Sequence, residues 1–162
     1  MDLDFSSGDE LFELIKQINE KYYNLLNVNI LFLEEYSDRI YVVYITVLRD
    51  AYAHLVRAFD SDIHDQQGKK NVQQQLELYV NHLRRGLLDT FRKILALEFK
   101  SLMELVKSVN RKNVKVIEYQ IATEAYKLRV MDKNNSADKR IEGYISLMEY
   151  LSDVRKKIAP VI

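Results

Sequence analysis

IYVVYITVLRDAYAHLVRAF, residues Ile40 to Phe59, is the stretch on which the fold turns. Its β-branched cluster, Val42, Val43, Ile45, Thr46 and Val47, reads locally as a strand. The apolar positions run on past that cluster, however, as Tyr41, Tyr44, Leu48, Tyr52, Leu55 and Phe59, three or four residues apart. Strand alternation does not produce that spacing, whereas a 3.6-residue helical period does. The stretch predicts a helix, and with it an all-α protein.

The same reading extends in both directions. Upstream, Ser7-Gly8-Asp9-Glu10 has the order of a capping box, and Leu11, Leu14, Ile15, Ile18 and Tyr22 follow at helical spacing. That first helix reaches the Asn24 to Asn29 region, where the pattern weakens, with a possible continuation to Glu35. Ser37-Asp38 supplies the next cap. Downstream, the polar segment Asp60 to Lys70 contains Gly68 and reads as a loop. Asn71 caps a third helix with the stripe Val72, Leu76, Tyr79, Leu83, Leu87, Phe91 and Ile94, extending to about Val109. Asn110-Arg111-Lys112-Asn113 interrupts the pattern. A fourth helix runs from Val114 to about Met131, and Asp132 to Asn135 forms a turn. Ser136 caps a fifth helix, which carries Ile141, Tyr144, Ile145, Met148 and Leu151 and is stopped by Pro160. Short connections between long amphipathic helices predict an up-and-down antiparallel bundle of four to five helices, as a single domain over residues 1–162.

Composition narrows the class further. Of 162 residues, 48% are hydrophobic, too many for a disordered chain. Four glycines and one proline leave few sharp turns, against a sandwich or barrel. The 24 basic and 24 acidic residues cancel, so no global field selects nucleic acid or membrane. The absence of cysteine excludes disulfides, thiolate metal sites and thiol nucleophiles. The longest strongly apolar run, Ile40 to Leu48, falls far short of the roughly 20 residues of a bilayer span. Met1-Asp2-Leu3-Asp4-Phe5 is acidic and lacks the order of a signal peptide. A cytoplasmic protein with no membrane partner is the expectation.

A short element occurs twice. His54-Leu55-Val56-Arg57-Ala58 recurs as His82-Leu83-Arg84-Arg85-Gly86 and contains two of the three histidines. With Leu55 and Leu83 set toward the core, His54 and His82 fall at the rim of the apolar stripe, and Arg57 and Arg85 fall on the polar side. If the two helices form a hairpin through the Asp60–Lys70 loop, residues whose numbers sum to roughly 131 lie level, given equal rise on both arms. Asp50 then faces His82, and His54 faces Leu78. Arg49, Asp50 and His54 thus form a candidate catalytic group, with Arg57, His82 and Arg85 as candidate binding neighbours. A carboxylate orients an imidazole for general acid–base chemistry, and an arginine holds a phosphate or stabilises charge developing on it. The structural alternative is a salt-bridge network, with Ala58 and Gly86 permitting close helix approach. Arg84, Arg85, Arg92 and Lys93 share one stretch of the third helix, as phosphate contacts or as its solvated face. There is no glycine-rich phosphate loop, paired-histidine metal motif or serine nucleophile elbow. No cofactor and no metal ligand set is expected.

Arg49-Asp50-x-x-x-His54 resembles the Arg-x(4–6)-His motif of the HEPN superfamily, small helical-bundle proteins that bind nucleotides or RNA. The polar residue after the arginine and the helical setting fit that pattern. The resemblance covers six residues and the general architecture. It implies metal-independent RNA cleavage across a dimer interface, with His54 as general acid/base for attack by the ribose 2′-hydroxyl. Arg49 would stabilise the phosphorane-like transition state, and Asp50 would be an orienting group. The motif lies well inside the second helix, whereas the family places it later and nearer a helix boundary. The competing reading is a non-enzymatic helical interaction or scaffold module, acting as a homodimer or as a subunit of a larger complex. A metal-dependent bundle enzyme would need Glu-x-x-His pairs, which the chain lacks.

Overall fold

Val72, Leu76, Tyr79, Leu83 and Leu87 are fully buried and Phe91 and Ile94 nearly so, which puts the whole stripe of the third helix in the core. Each leucine of that stripe contributes about 1.5–3 kcal/mol by leaving water. The computed structural model describes residues 3–37, 42–109 and 114–158, and every regular element among them is helical. Helix α1 is continuous but composite: Gly8–Ile18, a π-helical segment Asn19–Tyr23, then Asn24–Ser37. Helix α2 is Val42–Phe59, α3 Gln66–Val109, α4 Val114–Asn134 and α5 Ala137–Ile158. The all-α helical bundle expected from the sequence is the fold. The side chains of the expected Ser37-Asp38 cap, the Asn110–Asn113 interruption and the Pro160 stop lie outside the described residues.

The chain divides into two compact units, Met1–Thr90 and Phe91–Ile162, and the division falls within α3. In the first unit α3 meets α1 through Tyr79 on Asn19, Arg84 on Tyr22 and Thr90 on Asn29. Both numbers rise together, so these helices run parallel. Against α2 the order reverses: Val47 lies by Gly86, Tyr52 by Tyr79 and His54 by Gln75. The unit is therefore an up-down-up bundle of three helices. In the second unit Phe91 stacks on Tyr144 and Arg155 bonds Glu98, so α3 and α5 again run parallel. Helix α4 packs on α5 and joins it through a two-residue turn, Asn135 and Ser136, which fixes the two as antiparallel.

Local chemistry explains where the helices begin. The Ser7 hydroxyl accepts from the Glu10 amide at 3.2 Å, as the capping box predicts. Its return arm is shifted by one residue, with the Ser6 hydroxyl and the Ser6 amide each donating to Glu10 Oε2 at 2.6 Å. Those Ser6 bonds hold the Glu10 carboxyl below its ordinary value of 4.5. Helix α3 starts earlier than the sequence suggests, at Gln66 rather than Asn71, because the Asp65 carboxylate accepts from the Gly68 amide and caps it. Gly68 also lets the loop cross closely, since a Cβ there would lie 1.5 Å from the Asp62 carbonyl oxygen. Ser136 caps α5 as expected, accepting from the Lys139 amide through its hydroxyl.

The weakening of the first stripe has a geometric cause. Leu14, Ile18, Tyr22, Leu26 and Ile30 are all buried and sit four residues apart. In an α-helix each such step turns the side chain by about 40° away from the core. The wider π turn at Asn19–Tyr23 takes up that excess and keeps all five on one face.

Candidate functional site

Helix α2 has two apolar faces. The inner face, Tyr44, Ala51, Leu55 and Ala58, is buried, with Val47 and Leu48 half-buried beside it. The outer face carries Val42 at 67% exposure, Ile45 at 49%, Tyr52 at 42%, Val56 at 57% and Phe59 at 58%. Arg49, its side chain 73% exposed, completes the series. From Val42 the steps are three, four, three, four and three residues, the a/d pattern of a helix that packs along another helix. The broad stripe expected through Tyr52 and Phe59 is thus two stripes, and those two residues belong to the outer one. The hydrophobicity of a sequence cannot by itself say which of two stripes faces inward, although the regular spacing of the outer one was available to be read.

The edge of α2 toward α3 holds the doubled element. The His54 and His82 rings stack with centroids 5.2 Å apart and planes 26° from parallel, both residues half-buried. His54 Nδ1–H donates to Gln75 Oε1 at 2.8 Å, which leaves Nε2 carrying the lone pair in the neutral ring. The hairpin register expected from the sequence agrees with the contacts of Tyr52 with Tyr79 and of Val47 with Gly86. Gly86 sits where all three helices of the unit meet: a Cβ there would lie 3.0 Å from both Leu26 Cδ2 and Val47 Cγ1. Close helix approach is what this residue provides.

The remaining candidates are placed differently. Arg49 donates through Nε and Nη2 to Asp50 Oδ1, at 3.1 and 2.9 Å, on the exposed side of α2. Five residues of α-helix put Arg49 and His54 about 140° apart around the axis. The structure therefore brings His54 and His82 together, and gives the Asp50 carboxylate to Arg49. Arg57 and Arg85 are exposed, on the outer side of their helices. Of the basic stretch on α3, Arg84 lies over the Tyr22 ring and donates to its hydroxyl, and Arg92 donates to the Tyr144 hydroxyl. Those two side chains are held by protein groups. Among the described residues no group of three or more histidine and carboxylate side chains is gathered that could hold a metal ion. No helix among them is long and apolar enough to cross a membrane.

Tyr52 links the two faces. Its ring meets Tyr23 of α1 edge-on at 5.8 Å and Tyr79 of α3 at 6.5 Å. Burial, then a hydrogen bond with Tyr23, then the Tyr23 charge push its hydroxyl up to about 12. Burial pushes the Tyr79 hydroxyl in the same direction, and that hydroxyl donates to Asn19 Oδ1. An outward feature recurs on α4, where Val116, Tyr119 and Tyr126 are exposed and Thr123 half-buried, at steps of three, four and three. Comparison of the chain with protein-family models, curated proteins and solved structures returns no match.

Proposed function

We propose that this chain is a helical interaction module whose outward α2 seam receives a helix of a protein partner. One observation carries the reading: five exposed apolar side chains stand at a/d spacing over the 18 residues of α2. Scattered exposed apolar residues are ordinary on a soluble protein, but a continuous strip of them marks an interaction surface. Arg49 in an a position fits the same reading, since a single polar residue there fixes register at some cost in affinity. The test is affinity purification with the tagged chain and with its Ile45→Glu/Val56→Glu variant. The expected result is a protein held in stoichiometric amount by the unmodified chain and lost from the variant, with the variant's circular dichroism unchanged. Equal recovery on both, or no companion and no self-association with either, overturns the reading.

A second reading rests on the half-buried imidazole pair, which fits HEPN-like binding of RNA or a nucleotide. In it, His54 Nε2 acts as the acid/base group of a metal-independent endoribonuclease, Arg49 stabilises the transition state, Asp50 is an orienting group, and Arg57, His82 and Arg85 bind the phosphate. It expects RNA cleavage that survives chelator and is lost in His54→Ala. Intact RNA after incubation with the pure protein, or undiminished cleavage by that variant, ends it.

A further inference from the structure

We infer that the occupant of the α2 seam is α2 of a second copy, lying antiparallel across a two-fold axis; the inference rests on the interaction reading above. The seam is complementary to itself in that orientation. Its ends and centre are Val42 and Phe59, Ile45 and Val56, Arg49 and Tyr52. Reversing one copy about the midpoint between Arg49 and Tyr52 sets Val42 against the partner copy's position 59, Ile45 against 56, and Arg49 against 52. Each a residue then meets a d residue, the layering of antiparallel helix pairs. Large side chains oppose small ones at the ends, Phe59 against Val42.

Charge selects this direction over the parallel one. In-register parallel helices would place the two Arg49 guanidinium groups against each other in the middle of an apolar strip. The antiparallel arrangement sets each against the partner copy's Tyr52 instead, a residue left 42% exposed beside its contacts with Tyr23 and Tyr79, where a cation–π contact is favourable. Asp50, bonded to Arg49, balances its charge at the edge of the strip. An isologous contact of this kind also closes on itself and stops at two copies.

The area is adequate. At roughly 100 Å² of exposed surface for each of the five apolar side chains, one copy offers about 500 Å², at the upper end for the largest patch on a monomer. Two copies bring about 1,000 Å² before Arg49 and the flanking residues are added, which reaches the lower range of specific interfaces. The comparable strip on α4 shows, among the described residues, Val116, Tyr119 and Tyr126 as large exposed apolar residues.

The experiment uses the pure full chain, whose lack of cysteine makes introduced thiols unambiguous. Light scattering behind size exclusion is expected to give twice the chain mass. Val56→Glu and, independently, Ile45→Lys are expected to give the single mass with helicity retained, while Tyr119→Glu on α4 leaves the double mass. Under oxidation, Val42→Cys mixed with Phe59→Cys is expected to yield a covalent dimer, and neither alone, because like positions at the ends of the pair lie about 25 Å apart. A single mass for the unmodified chain overturns the inference, as does cross-linking of either variant with itself or dissociation by Tyr119→Glu. The interaction reading would survive a single mass if a different protein were still held through Ile45 and Val56, so the two failures are distinguishable.

Discussion

His54 and His82 stack ring on ring across α2 and α3, and Gln75 anchors the outer edge of the pair through His54 Nδ1. Tyr52, two residues before His54, and Tyr79, three before His82, form a neighbouring contact between the same two helices. Replacing His54 by Ala removes the ring contact and leaves a half-buried Gln75 carbonyl without its donor, and His82→Ala removes only the ring contact. Each loss is expected to cost about 1 kcal/mol, His54→Ala the more. For a chain of this length that lowers Tm by roughly 2–4 °C. Urea denaturation of both single variants and the double variant checks it, and a coupling near 0.5 kcal/mol or above is expected for side chains in direct contact. Strictly additive losses would mean that the stack contributes nothing.

Two glycines make opposite demands on space. At Gly68 an added methyl would occupy the Asp62 carbonyl, which is backbone and has no room to move. At Gly86 it would press on Leu26 Cδ2 and Val47 Cγ1, the ends of side chains that can shift by a few tenths of an ångström. Helix preference favours alanine at both positions by up to about 1 kcal/mol. Gly68→Ala is expected to cost about 3 kcal/mol by forcing the loop away from the helix cap. Gly86→Ala is expected to be destabilising by about 1 kcal/mol or less, and Gly86→Val by about 3 kcal/mol through overpacking between three helices. Thermal denaturation of the three variants checks the order.

Much of this architecture was legible because α3 obeys one simple rule: from Val72 to Ile94 every expected core residue is buried. The first helix was harder, since its steps of four drift off an ideal α-helical face, and only a π turn, which leaves no mark in composition, restores it. The start of α3 was misplaced because Asp65 and Asn71 are both competent caps, and only the approach of the loop at Asp62 selects Asp65. The hairpin register, which sets His54 opposite Leu78, brings His82 into its neighbourhood but does not specify the ring stack. Nor does it specify the partner of Asp50, because Arg49 at its side reaches it first. The α2 seam was visible as spacing but was merged into a single stripe, since an outward strip of valine and isoleucine has the same chemistry as an inward one.

A buried polar pair ties α1 to α3. Asn29 Nδ2 donates to Thr90 Oγ1 at 3.1 Å, and Thr90 Oγ1 donates in turn to the Leu87 carbonyl at 3.0 Å. Both residues lie in helical phase with buried leucine and isoleucine neighbours, which carries them into the core. Thr90→Val keeps the shape but strands the Asn29 amide inside the bundle, at an expected cost of about 2 kcal/mol. Asn29→Leu costs less, because Thr90 retains the Leu87 carbonyl. The double variant Asn29→Leu/Thr90→Val is expected to be more stable than Thr90→Val alone, since it leaves no donor unpaired. Urea midpoints of the three proteins check this, and a double variant weaker than Thr90→Val would show that packing, rather than hydrogen bonding, governs the site.

Alkaline pH should loosen the first unit through its tyrosines. In the folded chain the Tyr52 hydroxyl is pushed up to about 12, from an ordinary value of 10.0, by burial first and then by its bond with Tyr23. Above pH 10 the unfolded chain releases this proton while the folded chain still holds it. The stabilisation is thus fully present below about pH 10 and is lost as pH rises toward about 12. Tyr79 shifts in the same direction and adds to the effect. Absorbance at 295 nm is expected to show tyrosine ionisation in the folded chain continuing toward pH 12, and the melting temperature is expected to fall across the same interval. Tyr52→Phe has no proton to lose, so its melting temperature should decline less steeply there. An identical alkaline slope in that variant would remove Tyr52 as the cause.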